Sequence, residues 1–487
     1  MPRISAICLS DLHFGYWGSV LTAADGRKAD ITRVSPVLEQ LVECIKSILD
    51  SHEGEEKPRL VLAGDVLELA LVPTNVAATV FAQFLEKLFG DETLPLDRRI
   101  VYLPGNHDHH LWELAREQQY TGYLAEKTTK LPFENSPWHA THLFPWRPEL
   151  GVNDRDVGNL LLDTIAKKVP GLTGKKKVSF LSMYPNFGVL GAGGSRCTVV
   201  HHGHFTESIY YLMTELQRIL IDPEGDPPAN IWDVEVENFA WIEFLWGTLG
   251  RSGRVGESVG LVYELLQTRA GRNSLVRTLA WNIPSHFQHP RWLRPFEILI
   301  LYLVLRRLVD RFTAMEREIP GEYLSADSWE RLEKYLGDYV EGQLGRERNQ
   351  ERGEKLPEHV NFVFGHTHKP FEKVHPVGGV ARPVHIYNTG GWVVDSDAPA
   401  ARQGGAIVVI DDDGNAASVR MYNEAADPGD YAVDVKQAGG EGGGDNPLYD
   451  SLRALVKPDQ PPWSAFSGEV AKAVAERCKT FREITGG

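Results

Sequence analysis

The chain has 487 residues, 42% of them hydrophobic and 24% charged, with a formal net charge of −15. That balance describes an ordinary globular chain that can bury a sizeable core in one large or two to three ordinary domains. Its acidity opposes a broad non-specific grip on nucleic acid, which needs basic surface to displace counterions.

Residues 1–10 read as a strand running straight into Asp11-Leu12-His13, with no cleavable secretory segment ahead of it. The glycine-rich stretch 14–33, with Tyr16 and Trp17, reads as a loop. Ser35-Pro36 is an N-cap followed by proline at the first helical position, and Val37, Leu38, Leu41, Val42, Ile45, Ile48 and Leu49 make a helical stripe. Residues 59–65 form a buried-type strand ending in Gly64-Asp65, a helix follows near 76–89, and the strand 99–106 runs into Gly105-Asn106-His107-Asp108. His109, His110, His139 and His142 read as exposed or core histidines outside the main site. Lys175, Lys176 and Lys177 read as a solvated loop and lack the spacing of a nucleotide-binding loop.

Three histidines, His201, His202 and His204, end the next apolar run. Strand alternation turns His201 and His202 to opposite sides. The span 205–358 is mostly helical in period and reads as an insertion, with helices at 206–221, 231–249, 257–270, 295–317 and 327–345. It is placed to act as a lid. Within 291–312 the apolar run Ile298–Leu305 is shorter than the ~20 residues of a spanning helix. It reads as a core helix of the insertion, with two alternatives: peripheral membrane contact through flanking arginines and Trp292, or a tunnel wall for acyl chains.

The strand 359–364 leads into Gly365-His366-Thr367-His368, a further strand spans 383–394, and 406–422 reads as a terminal hairpin completing a second sheet. Residues 423–446 read as a flexible linker, and short helices near 447–456 and 467–483 form a tail over 447–487. Cys8, Cys44, Cys197 and Cys478 lack paired spacing, which suits a reducing cytoplasm.

Four of these stretches carry the chemistry. Each follows an apolar, strand-like run, and together they offer carboxylate oxygen, imidazole and amide oxygen without cysteine, the donor set of hard or borderline divalent cations. A carboxylate between two cations bridges them, and a pair ~3.5–4 Å apart clamps the attacking and leaving oxygens of a phosphoryl displacement. Asp65 is the candidate bridge. In this order the motifs resemble the calcineurin-like metallophosphoesterase superfamily, over residues 1–204 and 359–422.

The resemblance implies an α/β fold, a four-layer α/β/β/α sandwich, and two metal ions, with manganese first and iron or zinc compatible. It implies that Asp11, His13, Asp65 and His368 hold one ion and that Asp65, Asn106, His366 and the fourth-motif histidine hold the other. Family habit puts that ligand at His202, with His204 next. It also implies that His107 faces the scissile phosphate as acid or charge stabiliser, with Asp108 fixing its tautomer. Glu68 has two readings, a first-turn helix carboxylate or a site residue. The expected activity is hydrolysis of a phosphomonoester or phosphodiester by metal-activated water. Two alternatives stand beside it: cleavage of a lipid-linked pyrophosphate, as in hydrolases of the UDP-diacylglucosamine type, which usually carry arginine at the place of His107, and a non-catalytic scaffold that retains the fold.

Overall fold

A computed structural model describes residues 2–91, 93–126, 140–144, 157–211, 228, 230–243, 273, 276–278, 280–281, 295–296, 298–303, 306, 321–351, 353–440 and 445–485. In its first half, apolar runs alternate with helices that carry one apolar stripe, a pattern that builds a parallel sheet with helices on its face. The order is β1 (Ile4–Leu9), a small hairpin of β2 (Ala24–Asp25) and β3 (Lys28–Ala29), α1 (Pro36–Asp50), β4 (Arg59–Ala63), α2 (Thr74–Phe89) and β5 (Arg99–Leu103). Then come α3 (His110–Glu126), α4 (Leu160–Lys168), β6 (Ser179–Ser182), β7 (Asn186–Leu190) and β8 (Arg196–His201). The insertion contributes α5 (Ile231–Ile242) and α6 (Ala326–Lys334), the latter continued by wide π-helical turns at Tyr335–Val340 and Gly345–Gln350. The chain closes with β9 (His359–Phe364), β10 (Phe371–His375), β11 (Val384–Asn388), β12 (Gly404–Asp411), β13 (Ala416–Asn423), β14 (Asp434–Lys436), α7 (Pro447–Leu455) and α8 (Trp463–Thr485).

Two large sheets result, one ordered β14-β13-β12-β1-β4-β5-β6 and the other β10-β11-β9-β8-β7. β1, β4, β5 and β6 run parallel, as do β8, β9 and β11. Their carboxyl ends therefore open onto the same side of each sheet. Between the sheets lie Ala6, Cys8, Val61, Val101, Val200, Val363 and Val408. The alternate residues Ile7, Leu9, Leu60, Leu62 and Ile407 pack outward under α1, α2, α4, α7 and α8. On the other sheet Val199, Phe362 and Ile386 pack under Val234 of α5 and Leu332 of α6. This is the expected four-layer α/β/β/α sandwich.

Four expectations change. The 406–422 hairpin joins the first sheet, with β12 antiparallel to β1, and does not complete the second. Residues 423–446 are not simply a linker, because β14 pairs with β13. The tail belongs to the core: Trp463, Phe466, Val470 and Val474 of α8 cover Ile407, Val419 and Met421, which that face of the sheet would otherwise expose. In the insertion, the start of the expected helix 206–221 is a pair of 3-10 turns, His204–Thr206 and Ser208–Tyr211; residues 212–221 and the expected helix 257–270 lie outside the described residues. Among the described residues no helix is long and apolar enough to cross a membrane.

Candidate metal centre

The loops after β1, β4, β5, β8 and β9 converge at one end of the sandwich. Their backbone is unusual. The non-glycine residues with positive φ among the described residues are Asp11 (51°), His13 (44°), Asp65 (49°), His366 (69°) and His368 (56°). Each such residue costs about 1–3 kcal/mol, so the strain collects at the end of three strands and persists because both sheets hold it in place. Close approach is built in as well: a Cβ on Gly105 would stand 2.2 Å from Asp65 Oδ1, and one on Gly365 would stand 2.1 Å from Asp11 Oδ2.

Three ligand groups form: Asp11, His13 and His368 make the first; Asp65, His202 and the half-buried His366 make the second; and His13, Glu68 and His107 make a third, with ligand atoms in each within 4.8 Å of one another. Asn106 Oδ1 joins the second, 3.0 Å from His202 Nε2, while His366 Nδ1 lies 3.2 Å from that same atom. Each carboxylate commits one oxygen to the protein and leaves the other. Asp11 Oδ2 accepts from Ser10 Oγ and from the His366 amide (2.9 Å), whereas Oδ1 has no hydrogen-bond partner although buried. Asp65 Oδ1 accepts from the His107 amide at 2.8 Å, and its Oδ2 sits 3.7 Å from His13 Nε2 and 3.4 Å from His202 Nε2, between the first two groups. His13 Nε2 is likewise buried without a partner.

Buried oxygens and nitrogens left unpaired are costly in water-free surroundings. Converging oxygen and imidazole donors of this kind fit two divalent cations, with Asp11, His13, Asp65 and His368 about one and Asp65, Asn106, His202 and His366 about the other. His201 turns away, its Nδ1 accepting from the Gly203 amide at 2.7 Å and its ring against Phe205 and Tyr335. The His204 ring lies 5.8 Å from that of His202, with neither nitrogen hydrogen-bonded.

The electrostatics are those of paired opposite charges. Burial favours neutral imidazole, yet Asp65 beside His202, and Asp11 and Asp395 beside His368, lift both rings to about 9. Burial likewise pushes the Asp65 carboxyl up, but His202, His107 and His13 hold it well below the usual carboxylate range. Ligands so polarised exchange protons for cations.

Three carboxylates orient the imidazoles from behind. Glu68, fully buried, takes His13 Nδ1 on Oε2 at 2.8 Å and His107 Nδ1 on Oε1 at 2.9 Å, and Oε1 also accepts from the Ala70 and Leu71 amides. The two histidines hold its carboxyl down at about 2 against the effect of burial. Asp395 lies 3.2 Å from His368 Nδ1, and Glu207 lies 3.5 Å from His366 Nε2. Asp108, expected to fix the His107 tautomer, instead accepts from the Gly105, Val66 and Leu67 amides and ties the second and third motif loops together. The carboxylate on His107 is Glu68, whose place three residues after Asp65 was the only sequence signal; Asp395 and Glu207 had none.

Around this centre, His109 is buried between Tyr184 Oη and Glu243. His110 and His142 are half-buried, and His139 lies outside the described residues. The turn Asn388-Thr389 braces the fifth motif, with Asn388 Nδ2 donating to Gly365 O and Thr367 Oγ1.

Comparison with curated proteins found no match to the chain. Residues 4–217 match the family model described as calcineurin-like phosphoesterase, a family of phosphoester hydrolases that normally hold two divalent metals. That match spans the first four motifs over less than half of the chain, and β9 brings the fifth to the same ligand groups, which together support assignment to the calcineurin-like phosphoesterase superfamily.

Proposed function

We propose that the protein hydrolyses a phosphomonoester or phosphodiester with water, using two divalent cations held by Asp11, His13, Asp65, Asn106, His202, His366 and His368. The observation that carries this reading is the position of Asp65 Oδ2 between the first two ligand groups, 3.7 Å from His13 Nε2 and 3.4 Å from His202 Nε2. Bound cations supply Lewis acidity, making water nucleophilic near neutral pH and offsetting phosphoryl charge. The chain's own part is positioning and proton handling. With Nδ1 committed to Glu68, His107 uses Nε2 to hold the proton that the leaving oxygen takes. Glu68 is ionised and keeps that Nδ1–H in place. Manganese is the first choice of cation, with iron and zinc compatible with the same donors. The buried, unpaired cysteines support a cytoplasmic setting.

Chelation followed by stepwise return of manganese, with p-nitrophenyl phosphate and its bis-ester as substrates, tests the proposal. Turnover should return with metal and vanish in Asp65→Ala; full activity in that variant would refute the bridging role. A second reading, cleavage of a lipid-linked pyrophosphate, draws on the apolar residues that the insertion exposes, and an acylated nucleotide-sugar in the same panel discriminates it.

A further inference from the structure

Two helical stretches of the insertion turn apolar side chains outward. In the first, Val276 and Ala280 are buried while Arg277 and Trp281, each one residue on, face solvent, Trp281 at 63% exposure. In the second, Phe296, Leu299, Ile300 and Leu303 are 62%, 56%, 62% and 53% exposed. Their spacing of i, i+3, i+4 and i+7 puts them on one helix face, the pattern by which a helix ordinarily meets a core. Here the stripe points to solvent, so the reading of Ile298–Leu305 as a core helix does not hold for Leu299, Ile300 and Leu303. Scattered exposed hydrophobics are ordinary, but a contiguous stripe marks an interaction surface. A cavity of about 630 Å³ opens between the two stretches, lined by Arg277, Trp281, Pro295, Ile298, Leu299 and Tyr302.

Charge selects the partner. Between residues 269 and 312 the sequence carries eight arginines against two carboxylates, Glu297 and Asp310, a local excess of six positive charges in a chain whose net charge is −15. Of these, Arg277 and Arg306 are exposed beside the stripe. In a two-fold dimer through this face, a second copy would set Arg277 and Arg306 against their own counterparts, like charge against like. An anionic bilayer offers both a phosphate layer for arginine and an apolar layer for the stripe and Trp281. The apolar run is too short to span, which leaves the helix lying in the interface plane.

We propose that this face docks the protein on an anionic lipid bilayer, with Phe296, Leu299, Ile300, Leu303 and Trp281 in the headgroup boundary and Arg277 and Arg306 at lipid phosphates. The inference is independent of the hydrolytic reading, since none of these residues touches the metal ligands.

The test is sedimentation of the full chain with vesicles of phosphatidylcholine alone or mixed about 3:1 with the anionic lipid phosphatidylglycerol. Partitioning should be roughly tenfold or more stronger on the anionic vesicles. It should fall about tenfold or more in the double variant Leu299→Glu, Leu303→Glu, and several-fold on raising salt from about 0.1 to about 0.5 M. The pair Arg277→Glu, Arg306→Glu should lower binding to anionic vesicles only, and its exposed sites keep the test valid if the leucine variants lose thermal stability. Equal sedimentation with and without vesicles, or binding indifferent to both double variants, overturns the proposal. So does a lipid-independent dimer that the leucine variants dissolve without any vesicle binding, which would give the face to a second copy.

Discussion

Replacing Glu68 by glutamine separates the two histidines that it serves. Oε1 accepts from three donors, His107 Nδ1 and the Ala70 and Leu71 amides, whereas Oε2 accepts only from His13 Nδ1 at 2.8 Å. The amide oxygen of Glu68→Gln will therefore keep the Oε1 place, since turning it round would leave three donors facing an NH₂ group. That leaves the NH₂ against His13 Nδ1, and the ring must present a lone pair there and carry its proton on Nε2. Nε2 is the atom aimed at the Asp11, His368 group, so His13 ceases to be a ligand in that tautomer. The cost is one mispaired buried hydrogen bond, about 1–3 kcal/mol, or roughly 5- to 150-fold in affinity for the cation on that side. Outer carboxylates behind metal-bound histidines have effects of about 10–100-fold, in the same range. Manganese titration of the chelated protein by calorimetry, beside kcat for p-nitrophenyl phosphate at saturating metal, measures both quantities. Weakened affinity at one of two sites, with saturated kcat within a few-fold of the parent, is expected. Unchanged affinity with a large loss of kcat would show that the amide turned toward His107 and would refute the reasoning.

Gly105→Ala places a methyl 2.2 Å from Asp65 Oδ1 and 2.5 Å from the Asp65 backbone nitrogen, so the turn that carries this carboxylate must move; turnover should fall at least about tenfold while far-UV circular dichroism is retained and denaturant melts lose about 1–3 kcal/mol. Phe466→Ala in α8 removes a fully buried ring packed near Trp392 and Tyr422, and should cost about 3–5 kcal/mol in urea unfolding, where an appended tail would cost almost nothing. Burial pushes the Glu347 carboxyl up to about 7 in the folded protein, above its ordinary value of 4.5. Between those values the unfolded chain ionises while the folded one stays protonated, so stability falls as pH rises from about 4.5 through about 7 and is level above, a loss of order 3 kcal/mol. Glu347→Gln should flatten that slope when urea midpoints at pH 5 and pH 8 (about the two ends of the window) are compared; an unchanged slope would rule Glu347 out as its source.

The sequence by itself determined the local structures and the chemistry they carry. Apolar runs closed by Gly64-Asp65, Gly105-Asn106 and Gly365-His366 define strands with polar ends, because a buried parallel strand needs branched apolar residues and a tight turn needs glycine. Pro36 and the α1 stripe define a helix for equally local reasons. The donor types in the four stretches point to divalent metal independently of any distance. Tertiary structure alone decided what depends on residues far apart in sequence. Strand β12 is apolar on both faces and its hairpin could have joined either sheet; antiparallel pairing with β1, at the other end of the sequence, placed it in the first. The positions of Asp395 behind His368 and Glu207 behind His366 follow from the meeting of loops that share no motif. Whether a helical stripe faces a core or solvent is also non-local, since Phe296, Leu299, Ile300 and Leu303 have the same spacing in either case and only the surrounding fold assigns their side.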